Sequence, residues 1–263
     1  MDTLSCFWHG PQLSLLELTC LRTWIKFHPV ELWMYKPQSL PADLSVVKIK
    51  DANEIISEGE LFEFNGRADS YKLLPFADLF RFTLLHKRGG RWLDLDITLI
   101  KPISNEILQM KYAFSSERTI QKGAYRNRTK KEIVDIGFVQ VPAGSELTSY
   151  ILCRVPAKII TPFDFMKVYR KGIEELKLEE YILPALAFLP LNFWDVKEAI
   201  CSDAIQYKSK YGVEAFNRNC LHDDNCFGIH WFRAILRKRN INVEDAATGS
   251  LWLNLQILHD PYK

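Results

Sequence analysis

Two hydrophobic periods alternate along the chain. "LSCFWHG", Leu4 to Gly10, is a short apolar run closed by Gly10-Pro11, the punctuation of a strand that enters a turn. "LSLLELTCLRTWIKF" follows with Leu15, Leu18, Leu21 and Ile25 at helical spacing, and "VELWMY" reads as a second strand. After "VVKI" and a short acidic helix, "FADLFRFTLLHK" is apolar on most of its surface and so reads as an internal helix. Gly89 stands where a left-handed C-cap is wanted, and Gly90 lets the chain turn at once into the next strand.

"YAFSSE" and "IVDIGFVQVP" are further strands, followed by helices over Glu146 to Cys153 and Phe163 to Leu176. Strands alternating with helices predict an α/β sheet with helices on its faces. From about Tyr181 the pattern is less regular: "YILPALAFLPLNFW" is interrupted by two prolines, and a last helix follows His230.

One strand breaks the apolar logic. In "RGGRWLDLDITLIKP", Asp94 and Asp96 flank a single leucine. Along this strand Trp92, Asp94, Asp96 and Thr98 share one face, while Leu93, Leu95, Ile97 and Leu99 form a core face. Carboxylates two residues apart on a strand lie on the order of 7 Å apart. They raise each other's pKa unless a cation sits nearby. A hard divalent metal removes that repulsion and keeps positions open for phosphate oxygens. The pattern therefore suggests metal-bridged binding of a phosphorylated small molecule; a capped, solvated strand edge is the plain alternative.

Composition narrows the classes. The 263 residues are 48% hydrophobic and 25% charged, with a net charge of +2, so nothing calls for a nucleic-acid partner. No apolar run approaches the roughly 20 residues of a membrane helix, and the start lacks the layout of a signal peptide. The expectation is a soluble, cytoplasmic chain, with peripheral membrane contact left open. Its six cysteines are expected to be mostly buried thiols.

The combination "FADLFRFTLLHKRGGRWLDLDITLIKP" resembles the DXD-containing sugar transferases that include fungal α-mannosyltransferases and bacterial capsular-polysaccharide glycosyltransferases, and more distantly the glucosylating clostridial toxins. An S/A-D-x-x-R helix, a Gly-Gly turn and an aromatic-x-D-x-D strand recur in that family. They correspond here to Ala77-Asp78 with Arg81, Gly89-Gly90, and Trp92, Asp94 and Asp96. "FWHG" is similar to the family's first strand, and "FGIHWFRAIL" to its late histidine-tryptophan segment. Thr161-Pro162 stands where the family often has Gly-Pro.

The resemblance implies a GT-A type fold, a Rossmann-like nucleotide-binding sheet flanked by helices with a less regular C-terminal part. One domain would span 1–263, with residues 1–142 as the nucleotide-sugar half and 143–263 as the acceptor side and closing segment. It implies a retaining transferase moving a sugar from a nucleotide sugar, UDP-linked by preference, to a glycan, glycolipid or polysaccharide. Asp96, Asp94 and His230 would hold Mn²⁺ or Mg²⁺, with Asp96 the direct ligand and Asp94 acting partly through water and sugar hydroxyls. Asp94, Asp96 and Arg81 are the expected catalytic residues. Trp8, at the base, Asp78, Arg81, Trp92, Asp94 and His230 are the expected donor-binding residues.

Other readings stay open. A metal-dependent phosphohydrolase or nuclease would use the same carboxylates, and a non-catalytic glycan-binding module would keep the fold alone. Cys220, His222, Cys226 and His230 could also bind zinc, although no C-x-x-C element is present, and a Cys220 to Cys226 disulfide is a further alternative. Asp135 either reaches the cleft or caps its loop, Asp223 and Asp224 read as a solvated turn, and the basic stretch Gln121 to Lys131 reads as a solvated loop.

Overall fold

The computed structural model describes residues 3–62, 73–119, 132–155, 164–203 and 216–259. The basic stretch Gln121 to Lys131 and Thr161-Pro162 lie outside them. The opening is β1 (Leu4–Phe7), α1 (Leu15–Trp24), β2 (Val30–Met34) and β3 (Lys48–Asp51); α2 (Leu74–Arg88) then leads into β4 (Gly90–Leu93) and β5 (Ile97–Leu99). α3 (Asn105–Gln109), β6 (Ala113–Arg118), β7 (Glu132–Val141), α4 (Glu146–Arg154) and α5 (Asp164–Glu175) follow. The last part holds α6 (Val196–Cys201), β8 (Gly228–His230), α7 (Arg233–Lys238) and α8 (Leu251–His259), joined by short 3₁₀ turns.

The main sheet has the order β3-β2-β1-β4-β7-β6. Its first four strands are parallel, and β7 runs antiparallel to both β4 and β6. The expected α/β architecture is therefore the observed one. Alternation along the strands divides the core in two. Leu4, Cys6, Leu32, Leu93 and Phe138 pack against α1 and the C-terminal part, whereas Trp33, Trp92 and Val139 pack against α2, α4 and α5.

β1 lies next to β4, whereas the chain leaves β1 for β2 on its other side. That is a topological switch point, where loops at the carboxyl ends of adjacent strands diverge and leave a crevice. Trp8 follows β1 and Asp94 follows β4, so both stand at that crevice.

The Gly-Gly turn controls how β4 enters the sheet. Gly89 has φ 64° and ψ −161°, so it has the positive φ expected of a C-cap but an extended ψ in place of the left-handed helical one. A Cβ there would stand 2.4 Å from the Ala143 nitrogen, whereas at Gly90, φ 93°, it would meet nothing within 4 Å. Gly89→Ala is expected to destabilise the protein by at least about 2 kcal/mol and Gly90→Ala by only about 1 kcal/mol, the conformational cost alone. Urea denaturation of the two variants side by side measures the difference; equal losses would mean that the close approach to Ala143 is unimportant.

The expected continuous D-x-D strand is corrected. β4 ends at Leu93, residues 94–96 turn, and β5 joins a separate two-stranded ribbon with β8. The apolar face persists through the turn, because Leu93, Leu95, Ile97 and Leu99 all pack in one cluster. The polar face does not: Thr98 is fully buried and its hydroxyl accepts from Trp231 Nε1 at 3.0 Å. β5 is also tied to α1, with Trp24 Nε1 donating to the Ile97 carbonyl and the Leu99 N–H to Thr23 Oγ1. Two helices, α7 and α8, follow His230 where one was expected.

Candidate metal and donor site

Asp94 and Asp96 come from one turn but belong to two networks. Asp94 continues the face of Trp92, whose Nε1 donates to Asp94 Oδ1 at 2.7 Å. From α2, Arg81 gives Nη2 to Asp94 and Nη1 to Asp78, and its guanidinium stacks 4.9 Å from the Trp92 ring centre. Asp78 and Arg81 lie one turn apart on a helix that is otherwise apolar here, and both are buried. Burial pushes the Asp78 carboxyl up to about 7, an effect that Arg81 only partly offsets. Burial also raises Asp94, against the pull of Arg81.

Asp96 faces the other way. Its Oδ1 lies 3.1 Å from His230 Nε2, and its Oδ2 accepts the Arg233 backbone N–H at 2.7 Å. The β5–β8 ribbon makes this meeting possible, since Ile97 pairs with His230 and the Trp231 N–H donates to the Asp96 carbonyl. Gly228 permits the approach, because a Cβ there would stand 2.8 Å from the Thr98 carbonyl oxygen. Burial opposes charge on both partners, yet their attraction prevails: Asp96 is lowered to about 2 and His230 raised to about 9.

Asp94, Asp96 and His230 each offer a ligand atom within 4.8 Å of the others, and among the described residues they are the only such group of three. Two carboxylate oxygens and an imidazole nitrogen suit Mn²⁺ or Mg²⁺ bound with positions left over. His230 Nδ1 is buried without a hydrogen-bond partner, and the ring would ligate an ion in its neutral form. Asp96 and Asp94 are held by second partners on fixed elements, as ligating carboxylates usually are. The residues present fit a divalent ion. The alternative zinc set of Cys220, His222, Cys226 and His230 does not assemble among the described residues.

Trp92 is buried behind Asp94 as its support. Asp135 accepts the Gly137 N–H at 2.8 Å, and its charge helps to raise both Arg81 and His230. Trp8 is largely buried, with Nε1 donating to the Pro11 carbonyl; with His9, Gly10, Tyr35, Lys36 and Gln38 it lines a cavity of about 190 Å³. That is smaller than a typical whole-ligand pocket of roughly 300–1,000 Å³.

Sequence reasoning missed Arg233 and Glu17. Arg233 lies over the Trp8 ring, 4.2 Å from its centre, and its Nε is 2.7 Å from Oε1 of the fully buried Glu17. The available signal was a charge in the apolar helix "LSLLELTC", which needs a partner once it is buried.

Residues 16–114 match the protein family described as "Glycosyltransferase sugar-binding region containing DXD motif". That span includes Asp78, Arg81, Trp92, Asp94 and Asp96, and it supports a sugar-transferring function. Among solved structures, the chain is similar to the PaToxG glycosyltransferase with a TM-score of 0.45 at 13% identity, over 66% of this chain and 69% of that one. It is also similar to a transferase solved as a double Cys-to-Ser mutant, with a TM-score of 0.37 at 10% identity, over 65% of this chain and 84% of that one. No curated protein sequence matches the chain. Among the described residues no helix is long and apolar enough to cross a membrane.

Proposed function

We propose that this protein is a divalent-metal-dependent glycosyltransferase. It transfers a sugar from a nucleotide-sugar donor, UDP-linked by preference, to a glycan or glycolipid hydroxyl with retention of configuration. The observation that carries the reading is the convergence of Asp94, Asp96 and His230 within 4.8 Å at the crevice between β1 and β4, with both aspartates inside the span, residues 16–114, that matches a DXD sugar-transferase family. UDP and retention rest on the family resemblance.

A divalent ion bound there would neutralise charge that gathers on the diphosphate as the glycosidic bond breaks. The protein's own part is to orient. Asp96 and His230 hold the ion's side of the donor, with Asp96 fixed by the Arg233 N–H. Asp94 is aimed by Trp92 and Arg81, and its remaining oxygen is placed for the ion or a donor hydroxyl. Asp78 stiffens Arg81 from behind. The small cavity lined by Trp8 and Tyr35 would take the base.

Mn²⁺ at a hundredfold excess over its dissociation constant is expected to stabilise the fold by about 2.7 kcal/mol, and EDTA to reverse the effect. For a chain of this size that corresponds to a rise in Tm of roughly 5–10 °C. Thermal-shift measurements with UDP-, GDP- and other nucleotide sugars, with and without Mn²⁺, test both the metal and the base. Absence of any metal-dependent nucleotide effect would sink the reading and leave a glycan-binding module. Phosphomonoester or nucleic-acid cleavage in place of transfer or donor hydrolysis would favour the phosphohydrolase.

A further inference from the structure

Arg81 is the expected donor-binding cation, yet both of its terminal nitrogens are engaged by carboxylates and its Nε is buried without a partner. A donor diphosphate that spans the crevice needs a different cation. Arg233 approaches from the opposite side, and its position is fixed at three points. Its main-chain N–H holds Asp96 Oδ2, its guanidinium stands over the Trp8 ring, and its Nε meets Glu17.

Each of those points is itself anchored. Glu17 sits in α1 with its second oxygen accepting from the Ser14 N–H and hydroxyl. Phe232, just before Arg233, takes the left-handed conformation, φ 51° and ψ 57°, which costs a non-glycine residue about 1–2 kcal/mol. That turn swings the chain from His230 so that the next N–H reaches Asp96. The Arg233 side chain keeps 28% of its surface exposed, and among the described residues no hydrogen bond occupies its Nη1 or Nη2. Its charge is close enough to help lower Asp96.

We propose that Arg233 binds the diphosphate of the nucleotide donor with this free edge, bridging the cation seat at Asp96 and the base cavity at Trp8, and that Glu17 sets the direction of the fork. The assignment rests on the reading above and deepens it. A planar guanidinium matches two phosphate oxygens at once, which a lysine ammonium does not. Stacking on Trp8 removes the rotamer freedom that a long side chain would otherwise lose on binding. The competing account is purely structural: Arg233 compensates the buried charge of Glu17 and nothing more.

Two variants separate these accounts. Arg233→Lys keeps a positive charge for Glu17 but loses the fork. The double variant Glu17→Gln with Arg233→Met removes both charges and so leaves no buried carboxylate unpaired. Calorimetry with UDP plus Mn²⁺, inorganic diphosphate plus Mn²⁺, and uridine alone measures the outcome. The double variant is expected to bind UDP and diphosphate about 10- to 100-fold more weakly, the size of lost charge-assisted hydrogen bonds, while its uridine affinity stays within about twofold. Arg233→Lys should fall between it and the wild type.

Unchanged UDP and diphosphate affinity in the double variant would overturn the assignment, as would an equal loss for uridine. Wild-type protein that binds diphosphate with Mn²⁺ but no nucleotide would overturn the nucleotide-sugar reading while supporting Arg233 as a diphosphate ligand. Wild-type protein that binds neither overturns both.

Discussion

Asp96→Ala is expected to abolish donor turnover, with a loss on the order of 10²–10³-fold or more, as when a group that stabilises leaving-group charge is removed. Three roles disappear together: an oxygen of the three-residue metal group, the charge partner of His230, and the acceptor of the Arg233 N–H. Without Asp96, His230 loses the main influence that holds its proton, and its pKa falls. Asp96→Asn keeps the shape, but its amide would face one of two hydrogen-bond donors. Turnover of the nucleotide-sugar donor and Mn²⁺ affinity by electron paramagnetic resonance are the measurements. Both should collapse in parallel; transfer near the wild-type rate by either variant would sink the metal assignment.

Arg81→Met is expected to give the largest loss of stability. Removing one partner of a buried ion pair typically costs about 3–5 kcal/mol, a large share of the roughly 5–15 kcal/mol that holds a domain together. Asp78, 1% exposed, would lose its counter-charge, and Asp94 would lose the group that aims it. The cost depends on pH. Asp78 already stands at about 7 in the folded protein, above an ordinary carboxylate, and loss of Arg81 raises it further. A raised folded pKa favours the folded state below the unfolded value, and that advantage is lost as pH rises toward the folded one. The variant should therefore be less destabilised at pH 6 than at pH 8. Adding Asp78→Asn should restore part of the loss and flatten the pH dependence. Urea denaturation gives the answer: an Arg81→Met protein within about 1 kcal/mol of wild type at pH 8 would contradict the buried network.

Much of the architecture was legible because its signals are local. The alternation of strand and helix, the Gly89 stop and the charged pair on α2 depend on residues within a turn or two of each other. The candidate cluster was legible in composition but not in shape. Leucines at 93, 95, 97 and 99 keep their alternation through the turn at residues 94–96, so periodicity gave no sign that the strand breaks there. The partner of β5 comes from far along the chain, and strand pairing at that range leaves no mark in local hydrophobic period. Resemblance pointed to His230, while the geometry that joins it to Asp96 came from the ribbon. Arg233 was invisible for a related reason: its neighbours Trp8 and Glu17 lie near the start of the chain.

The β5–β8 ribbon also bears on the order in which this protein acquires chemistry. A growing chain can lay down the four parallel strands, α2 and the Asp78–Arg81–Asp94 network before residue 228 exists. Only when Gly228–His230 closes on Ile97–Leu99 does the third ligand arrive, and loop closure over so long a span is a late and comparatively slow event. Partly synthesised or C-terminally cleaved chains would then lack the complete cation seat, together with the residues that cover one face of the sheet. On the proposed reading, competence to hold the cation would thus be tied to completion of the fold.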